Sequence, residues 1–491
     1  MSKKKNKPAR PKARRPRGFE DRSAETLRAE MDLVGKAFGV YESFGFEPLQ
    51  TPAFEFADAL GKFLPDEDRP NTGVFALRDD DEQWLSLRYD LTAPLARFVA
   101  ENYDGLAKPY RRYQSGSVFR NEKPGPGRFR EFVQCDADTV GAGTAASDAE
   151  MIMIAAEIAR AAGLSDDQFQ VRVNNRKLLD GLLEIAGVEN DPEKRLKTLR
   201  AVDKLDRLGR DGVEALLGEG REDESGDYTE GAKLSPNAIQ SVLDFTELTG
   251  RTRGETTRTL EGLIGASARG AEGVAELRAI DALLEATGYS DAAVGFDMSV
   301  VRGLGYYTGP VFELELLTDI RDRKGRPVRI GSIGGGGRYD DLVSRFRGQA
   351  VPATGFSFGV SRFLTALDKL EMIKQSVQAP VIICVFDKAL MADYFRMAAE
   401  LRAAGIRAEV FVGNGNVTKQ MKYADRRGAK VTLLMGEDEM AKGVVTLKDL
   451  EAGALAAQAI ETNEEWKDAR PAQVEVARGS LVTAVRGVLG E

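Results

Sequence analysis

Leu27, Met31, Val34, Phe38 and Tyr41 recur at three- and four-residue spacing, so residues 27–41 present one apolar face and predict an amphipathic helix. Gly45 follows where a C-terminal cap would sit. Residues 46–56 read as extended, and Pro52 within them suits an edge strand, because proline cannot donate to a ladder. The run LSLRYDL (85–91) predicts a strand leading to a helix that begins near Pro94, a residue tolerated in a first helical turn. Residues 110–141 read as strand, Gly/Pro loop, strand, with a helix expected from about 147 to 162. Between about 190 and 290 the chain is charged and helical in pattern, with REDESGDYTE (221–230) as a surface loop; this predicts a helical insertion.

Strand character returns at Gly295, continues through the alternating VFELELL (311–317), a turn around Lys324 and Gly325 and the run Gly334–Gly337, and ends in TGFSFGVSRFLTAL (354–367), a strand entering a helix. After a polar segment at 371–380, the strand-like runs VIICVF, AEVFV, VTLLMG and VVTLKDL alternate with helical stretches at 391–404 and 417–427. Such alternation argues a small α/β domain with a mostly parallel sheet. The expected organisation is a disordered tail (1–17), a large domain (18–375) carrying the insertion, an α/β domain (380–465) and a C-terminal helical extension (466–491).

Composition narrows the chemistry. The chain has 491 residues and no histidine, so triads, cysteine–histidine pairs and mixed zinc sites are excluded. Two cysteines, Cys135 and Cys384, argue against a disulfide framework, and the apolar runs are too short to span a bilayer; a cytoplasmic protein without membrane association is expected. The net charge is -8, yet Lys3, Lys4, Lys5, Lys7, Arg10, Lys12, Arg14, Arg15 and Arg17 precede any acid. Such a block repels itself until a polyanion neutralises it, which fits either a solubilising tail or an arm for nucleic acid.

Alternation places Arg128, Arg130, Phe132, Gln134, Asp136 and Asp138 on one face of the second hairpin strand, with Phe129, Val133, Cys135 and Ala137 toward the core. Cations and carboxylates in one row are too costly to bury unpaired. With Arg120 and Glu122 at the end of the partner strand, the row offers planar guanidinium forks for phosphate or carboxylate and an aromatic ring for a base. No GxxxxGK[ST] loop occurs, so a nucleotide site here has to be built from arginines on a sheet. The run Gly334–Gly337 reads as a strand whose missing side chains admit a ligand.

Together these segments resemble the class II aminoacyl-tRNA synthetases, and within them the histidyl-tRNA synthetase family. LQTPAFE around Pro52 is similar to motif 1, FRNEKPGPGRFREFVQ to motif 2 and GFSFGVSRF to motif 3, while VRGLGYYTG (301–309) and GGGGRYDDL (334–342) are similar to the histidine-specific signatures. LRYDLTAP, RFREFVQCDAD and KQMKYADRRG are closest to the eukaryotic-like branch. The resemblance implies an α+β catalytic domain with the class's antiparallel sheet, a C-terminal anticodon-binding α/β domain, a homodimer, and ATP-dependent charging of histidine tRNA with L-histidine. It implies ATP contacts from Arg120, Glu122, Arg128, Phe132 and Arg362, with Mg²⁺ accompanying the phosphates, and catalytic roles for Arg120 and Arg302. It assigns histidine binding to Asp90, Leu91, Thr92, Arg120, Gln134, Asp138, Arg302, Tyr306, Tyr307 and Tyr339. An imidazole has one N–H donor and one bare acceptor nitrogen, which Asp138 and the Tyr307 hydroxyl complement. Gly305 stands where the family usually has aspartate, and the KPGPGR loop lacks side chains that many bacterial members use near the acceptor end, which implies a variant tRNA-identity scheme. The regulatory subunit of ATP phosphoribosyltransferase shares the catalytic fold, but such proteins generally lack the terminal domain and degrade the arginine set; Arg120, Arg302 and Arg362 are all present here. The synthetases for proline, threonine and glycine share the anticodon-binding type of domain, and VRGLGYYTG argues against them.

Overall fold

A computed structural model describes residues 11–490 apart from 60–72, 126–128, 186, 189, 203, 223–226, 249–251, 302–305, 319–330, 374–378 and 458–471. The chain divides into two units, Met1–Lys374 and Gln375–Glu491.

The first unit is built on an eight-stranded sheet whose order, edge to edge, is Glu47–Pro48, Tyr110–Phe119, Glu131–Val140, Ala353–Gly359, Ser332–Arg338, Pro310–Leu316, Phe169–Asn175 and Val294–Phe296. The six central strands pair antiparallel; only the short outer strands run parallel to their neighbours. One face is apolar: Val133, Cys135, Val171, Val173, Phe312, Leu314, Phe356 and Phe358 meet Met151, Ile154 and Ile158 of the helix Ala145–Ala161, and Leu33, Ala37 and Tyr41 of the helix Ala24–Ser43. Ser23 caps the latter by accepting the Thr26 N–H, and Gly45 closes it at φ +78°. The extended segment containing Pro52 splits into Glu47–Pro48 at the edge of the large sheet and Phe54–Phe56 at the edge of a three-stranded sheet with Trp84–Leu87 and Ala76–Arg78.

The insertion is helical at Pro192–Val202, Leu205–Leu217, Pro236–Thr246, Arg253–Ile264 and Ala268–Ala286. The segment expected to be a surface loop contributes instead to a hairpin, Gly220–Glu222 against Tyr228–Glu230. Gly220 makes this possible, since at φ +130° a Cβ there would lie 2.3 Å from the Thr229 carbonyl oxygen.

The second unit has a five-stranded sheet in the order Ala408–Val410, Val381–Ile383, Val431–Leu434, Val444–Asp449, Gln473–Ala477, with the first two pairings parallel and the last two antiparallel. The expected helical extension is therefore corrected. Residues 473–477 form an edge strand, because Val444–Asp449 offers them an open backbone edge with which they pair antiparallel, and only Leu481–Leu489 is helical, burying Leu481 and Val485 in this unit's core.

Glycine is required where strands and side chains approach most closely. A Cβ on Gly336 would lie 2.1 Å from the Gly355 carbonyl oxygen and 2.7 Å from the Phe312 ring. Gly336→Ala should therefore lower stability in urea unfolding by about 2 kcal/mol or more, since backbone cannot move aside as a flexible side chain can.

Candidate active site

The hairpin register creates the site. Arg112 lies opposite Asp138, Gln114 opposite Asp136, Gly116 opposite Gln134 and Val118 opposite Phe132; on the other side Gly355, Ser357 and Gly359 pair with Asp138, Asp136 and Gln134. Because alternate residues share a face, these side chains gather on the side of the sheet away from the apolar core. Glycine clears the space: a Cβ on Gly355 would lie 2.0 Å from Asp138 Oδ1, and one on Gly116 would lie 2.3 Å from the buried Arg88 guanidinium.

At one end of this face Arg112 has no exposed surface, and its Nη2 stands 2.7 Å from Asp138 Oδ2. The same nitrogen donates to the Leu91 carbonyl at 3.0 Å, so one guanidinium ties Asp138 to the Asp90–Thr92 loop. Asp90 Oδ1 in turn accepts the N–H groups of Thr92 (3.1 Å) and Ala93 (2.9 Å), capping the helix Thr92–Asn102. Tyr339 donates its hydroxyl proton to Asp138 Oδ1 and its ring stacks on Tyr306 at 5.5 Å, while Tyr306 meets Tyr307 edge-on at 5.1 Å. Burial raises Asp138 above the usual carboxylate range, and the Arg112 charge opposes the rise. Burial also lifts the Tyr306 and Tyr339 hydroxyls well above theirs. The result is a buried carboxylate set among three tyrosine rings.

At the other end a cavity of about 220 Å³ is walled by Arg120, Glu122, Phe132, Gln134, Ser357 and Arg362, with Gly334 and Gly335 along its side. The Arg120 guanidinium lies over two aromatic rings, 4.4 Å from that of Tyr89 and 5.1 Å from that of Phe132, and Tyr89 donates to Glu122 at 3.0 Å. Arg362 is held by the Ser332 carbonyl at 3.0 Å. Between the two ends, Gln134 Nε2 donates to Ser357 Oγ at 2.7 Å and Ser357 donates to Asp136. The Gln134 amide oxygen is left buried with no hydrogen-bond partner among the described residues, an acceptor suited to a donor from a ligand.

The structure thus gathers Arg120, Glu122, Phe132, Gln134 and Arg362 at one cavity, and Asp90, Leu91, Thr92, Asp138, Tyr306, Tyr307 and Tyr339 in a second cluster. Arg128, Arg302 and Gly305 lie outside the described residues, as do Lys324 and Gly325. Arg130 does not continue the row. The strand begins at Glu131, and Arg130 turns back to donate to the Glu122 carbonyl at 3.0 Å. The glycine run is a strand, with Gly334 and Gly335 at the cavity, but Gly334, Gly336 and Gly337 make room for protein: a Cβ on Gly334 would lie 2.8 Å from the Phe356 ring and one on Gly337 2.8 Å from the Tyr307 ring. Arg112, Asp136 and Ser357 were not assigned roles from sequence. An opposite-charge pair on facing hairpin strands is a readable signal for Arg112 and Asp138, but only once the register is known.

An antiparallel sheet presenting Arg120 from a hairpin and Arg362 from a following strand–helix at one cavity, without a P-loop, is the arrangement of a class II aminoacyl-tRNA synthetase catalytic unit. The family described as Histidyl-tRNA synthetase matches residues 18–363, and the Anticodon binding domain family matches 378–486. Histidine–tRNA ligases of Caulobacter vibrioides and Bradyrhizobium diazoefficiens are 56% and 54% identical to the chain, covering 98% and 100% of it and 97% and 98% of their own lengths. The crystal structure of histidyl-tRNA synthetase from Nostoc superposes with a TM-score of 0.74 at 28% identity, covering 97% of this chain and 99% of that one. The chain belongs to the histidyl-tRNA synthetase family.

Two outcomes follow from the buried charges. Arg112→Leu strands Asp138 and should cost about 3–5 kcal/mol in urea unfolding, with a smaller loss when Asp138→Asn is added. Burial pushes Asp136 up to about 8, against the pull of Arg112 and with Asp138 adding to the rise. The native state therefore retains a proton that the unfolded state has released between pH 3.8 and about 8, so this group makes stability fall as pH rises through that window. Melting temperatures measured between about pH 6 and about pH 9 should decline less in Asp136→Asn than in the unaltered protein.

Proposed function

We infer that the chain activates L-histidine with ATP to histidyl-adenylate and transfers the histidyl group to the 3′ end of histidine tRNA. The observation that carries this reading is Gln134, which lines the arginine-walled cavity and leaves a buried amide oxygen without a partner among the described residues on the strand face that also carries Asp138.

In the first step a carboxylate oxygen of histidine attacks the α-phosphorus of ATP and pyrophosphate leaves. The nucleophile is already ionised at neutral pH, so positioning and charge stabilisation suffice and no histidine base is needed. Arg120, over the rings of Tyr89 and Phe132, holds the α-phosphate and the histidine carboxylate; Phe132 stacks on adenine, Arg362 meets the γ-phosphate, and Glu122 and Arg128 complete the nucleotide site. Arg302 neutralises charge during attack. Gln134, Asp90 and Thr92 receive the α-ammonium group. Asp138 accepts the imidazole N–H and Tyr307 donates to the other ring nitrogen, with Tyr306 and Tyr339 as walls. A terminal ribose hydroxyl of the tRNA then attacks the acyl carbon and AMP leaves, the proton passing to the adenylate's own phosphate.

Mg²⁺ would neutralise phosphate charge when bound. No group of three acidic, cysteine or histidine residues capable of holding a metal exists among the described residues, while Glu122 lies at the cavity. That suits an ion carried in with the phosphates and held by few protein ligands. Dimerisation is supported by Phe54, Phe56, Leu77 and Trp84, all exposed on the small sheet that contains the motif 1 segment. The proposed compartment is the cytoplasm. No helix among the described residues is long and apolar enough to cross a membrane.

ATP–pyrophosphate exchange with each amino acid in turn tests the reading: histidine alone should support exchange, whereas a folded dimer that exchanges with none would favour a regulatory, non-enzymatic role. Tyr307→Phe, which removes one hydroxyl, should reduce kcat/KM for histidine by roughly ten- to a hundredfold and leave the KM for ATP unchanged.

A further inference from the structure

The reaction chemistry leaves the basic segment ahead of residue 18 without a role, yet the structure fastens that segment to Arg130 at the end of the hairpin. The Gly18 carbonyl accepts the Arg130 N–H at 2.8 Å, placing the chain against the loop end of the hairpin. The approach is too close for any side chain: at φ +87°, a Cβ on Gly18 would lie 2.9 Å from Arg130 Cγ and 3.2 Å from Pro124 Cβ. Phe19 adds an apolar hold, its ring 5.8 Å from that of Phe75, which also carries the Arg130 guanidinium at 5.9 Å. Arg130 in turn donates to the carbonyl of Glu122, the residue that walls the nucleotide cavity.

Upstream of this clamp Lys12, Arg14, Arg15 and Arg17 are all exposed. Arg15 has Asp21 at 3.7 Å, and among the described residues Lys12, Arg14 and Arg17 have no ion-pair partner. Six extended residues reach about 20 Å from Gly18. The sequence adds Lys3, Lys4, Lys5, Lys7 and Arg10, which lie outside the described residues. In aminoacyl transfer the terminal ribose must reach the acyl group beside Arg120, and Glu122, whose carbonyl Arg130 holds, lines the same cavity, so a phosphate chain that approaches along this end of the hairpin meets these cations.

We propose that residues 12–17 form an arm, pinned at Gly18 to the hairpin tip, that binds the sugar–phosphate backbone at the acceptor end of the tRNA. The proposal rests on the aminoacylation reading above. The arm contributes charge rather than sequence recognition, because lysines and arginines without a fixed frame read phosphates and not base edges.

The test uses the full-length protein with Lys12→Ala, Arg14→Ala and Arg17→Ala combined. ATP–pyrophosphate exchange, which needs no tRNA, should be unchanged. The KM for tRNA should rise roughly five- to thirtyfold at low salt with kcat within about twofold, and the slope of log KM against log salt should become shallower by roughly 2. An acceptor-stem minihelix should show the same increase as whole tRNA. Gly18→Val, which keeps every charge but forces the chain off Arg130, should reproduce part of the KM increase with exchange intact. An unchanged tRNA KM and salt slope in the triple variant would overturn the proposal, as would a KM increase seen with whole tRNA but absent from the minihelix, which would put the arm elsewhere on the RNA. An unaltered protein that catalyses histidine-dependent exchange yet charges no tRNA would instead overturn the aminoacylation reading itself.

Discussion

A guanidinium with no exposed surface must be neutralised where it stands, and the placement of Arg112 shapes much of the site around it. Its Nη2 faces Asp138 across the hairpin and also holds the Leu91 carbonyl, so two elements far apart in sequence are brought to one point. Tyr339 then satisfies the other carboxylate oxygen and stacks on Tyr306. A carboxylate supported in this way keeps a fixed direction among the tyrosine rings. The pair stabilises the fold little compared with an apolar core of equal volume; what it contributes is position.

The outward face of the same sheet is unevenly filled. Asp136, Asp138 and Gln134 project where Gly116, Gly355 and Gly359 leave room, and Arg120 lies over the rings of Tyr89 and Phe132 at the far end. The apolar face beneath, with its stacked Phe312, Phe356 and Phe358, holds these positions rigid. The proposed chemistry, run by arginines and a substrate carboxylate, has no need of an enzyme imidazole, so the absence of histidine from the chain is compatible with it. Its consequence lies in synthesis: a ribosome makes this chain without consuming histidyl-tRNA.

Strand alternation made much of the site legible in advance. Phe132, Gln134 and Asp138 share a face and Val133, Cys135 and Ala137 face the core, as a period of two demands. Arg130 shows where that reasoning stops: it matches the period, but the strand begins one residue later and its side chain turns to the hairpin tip. The QVEVA run near the C-terminus was missed because a short strand after a polar stretch carries little local signal; what makes it a strand is the backbone edge offered by Val444–Asp449.

The sequence by itself determined the elements with strong periods, the motif segments and the chemical character of the site, because these depend on residue type and on spacing along one segment. Only the tertiary structure decided that Arg112 faces Asp138, that Ser357 joins Gln134 to Asp136, and that Gly18 is pinned to Arg130 at the end of the hairpin. Each of those depends on how separate segments pair or cross, and strand register and loop crossings are settled by packing of the whole sheet, for which no single stretch of sequence carries the information.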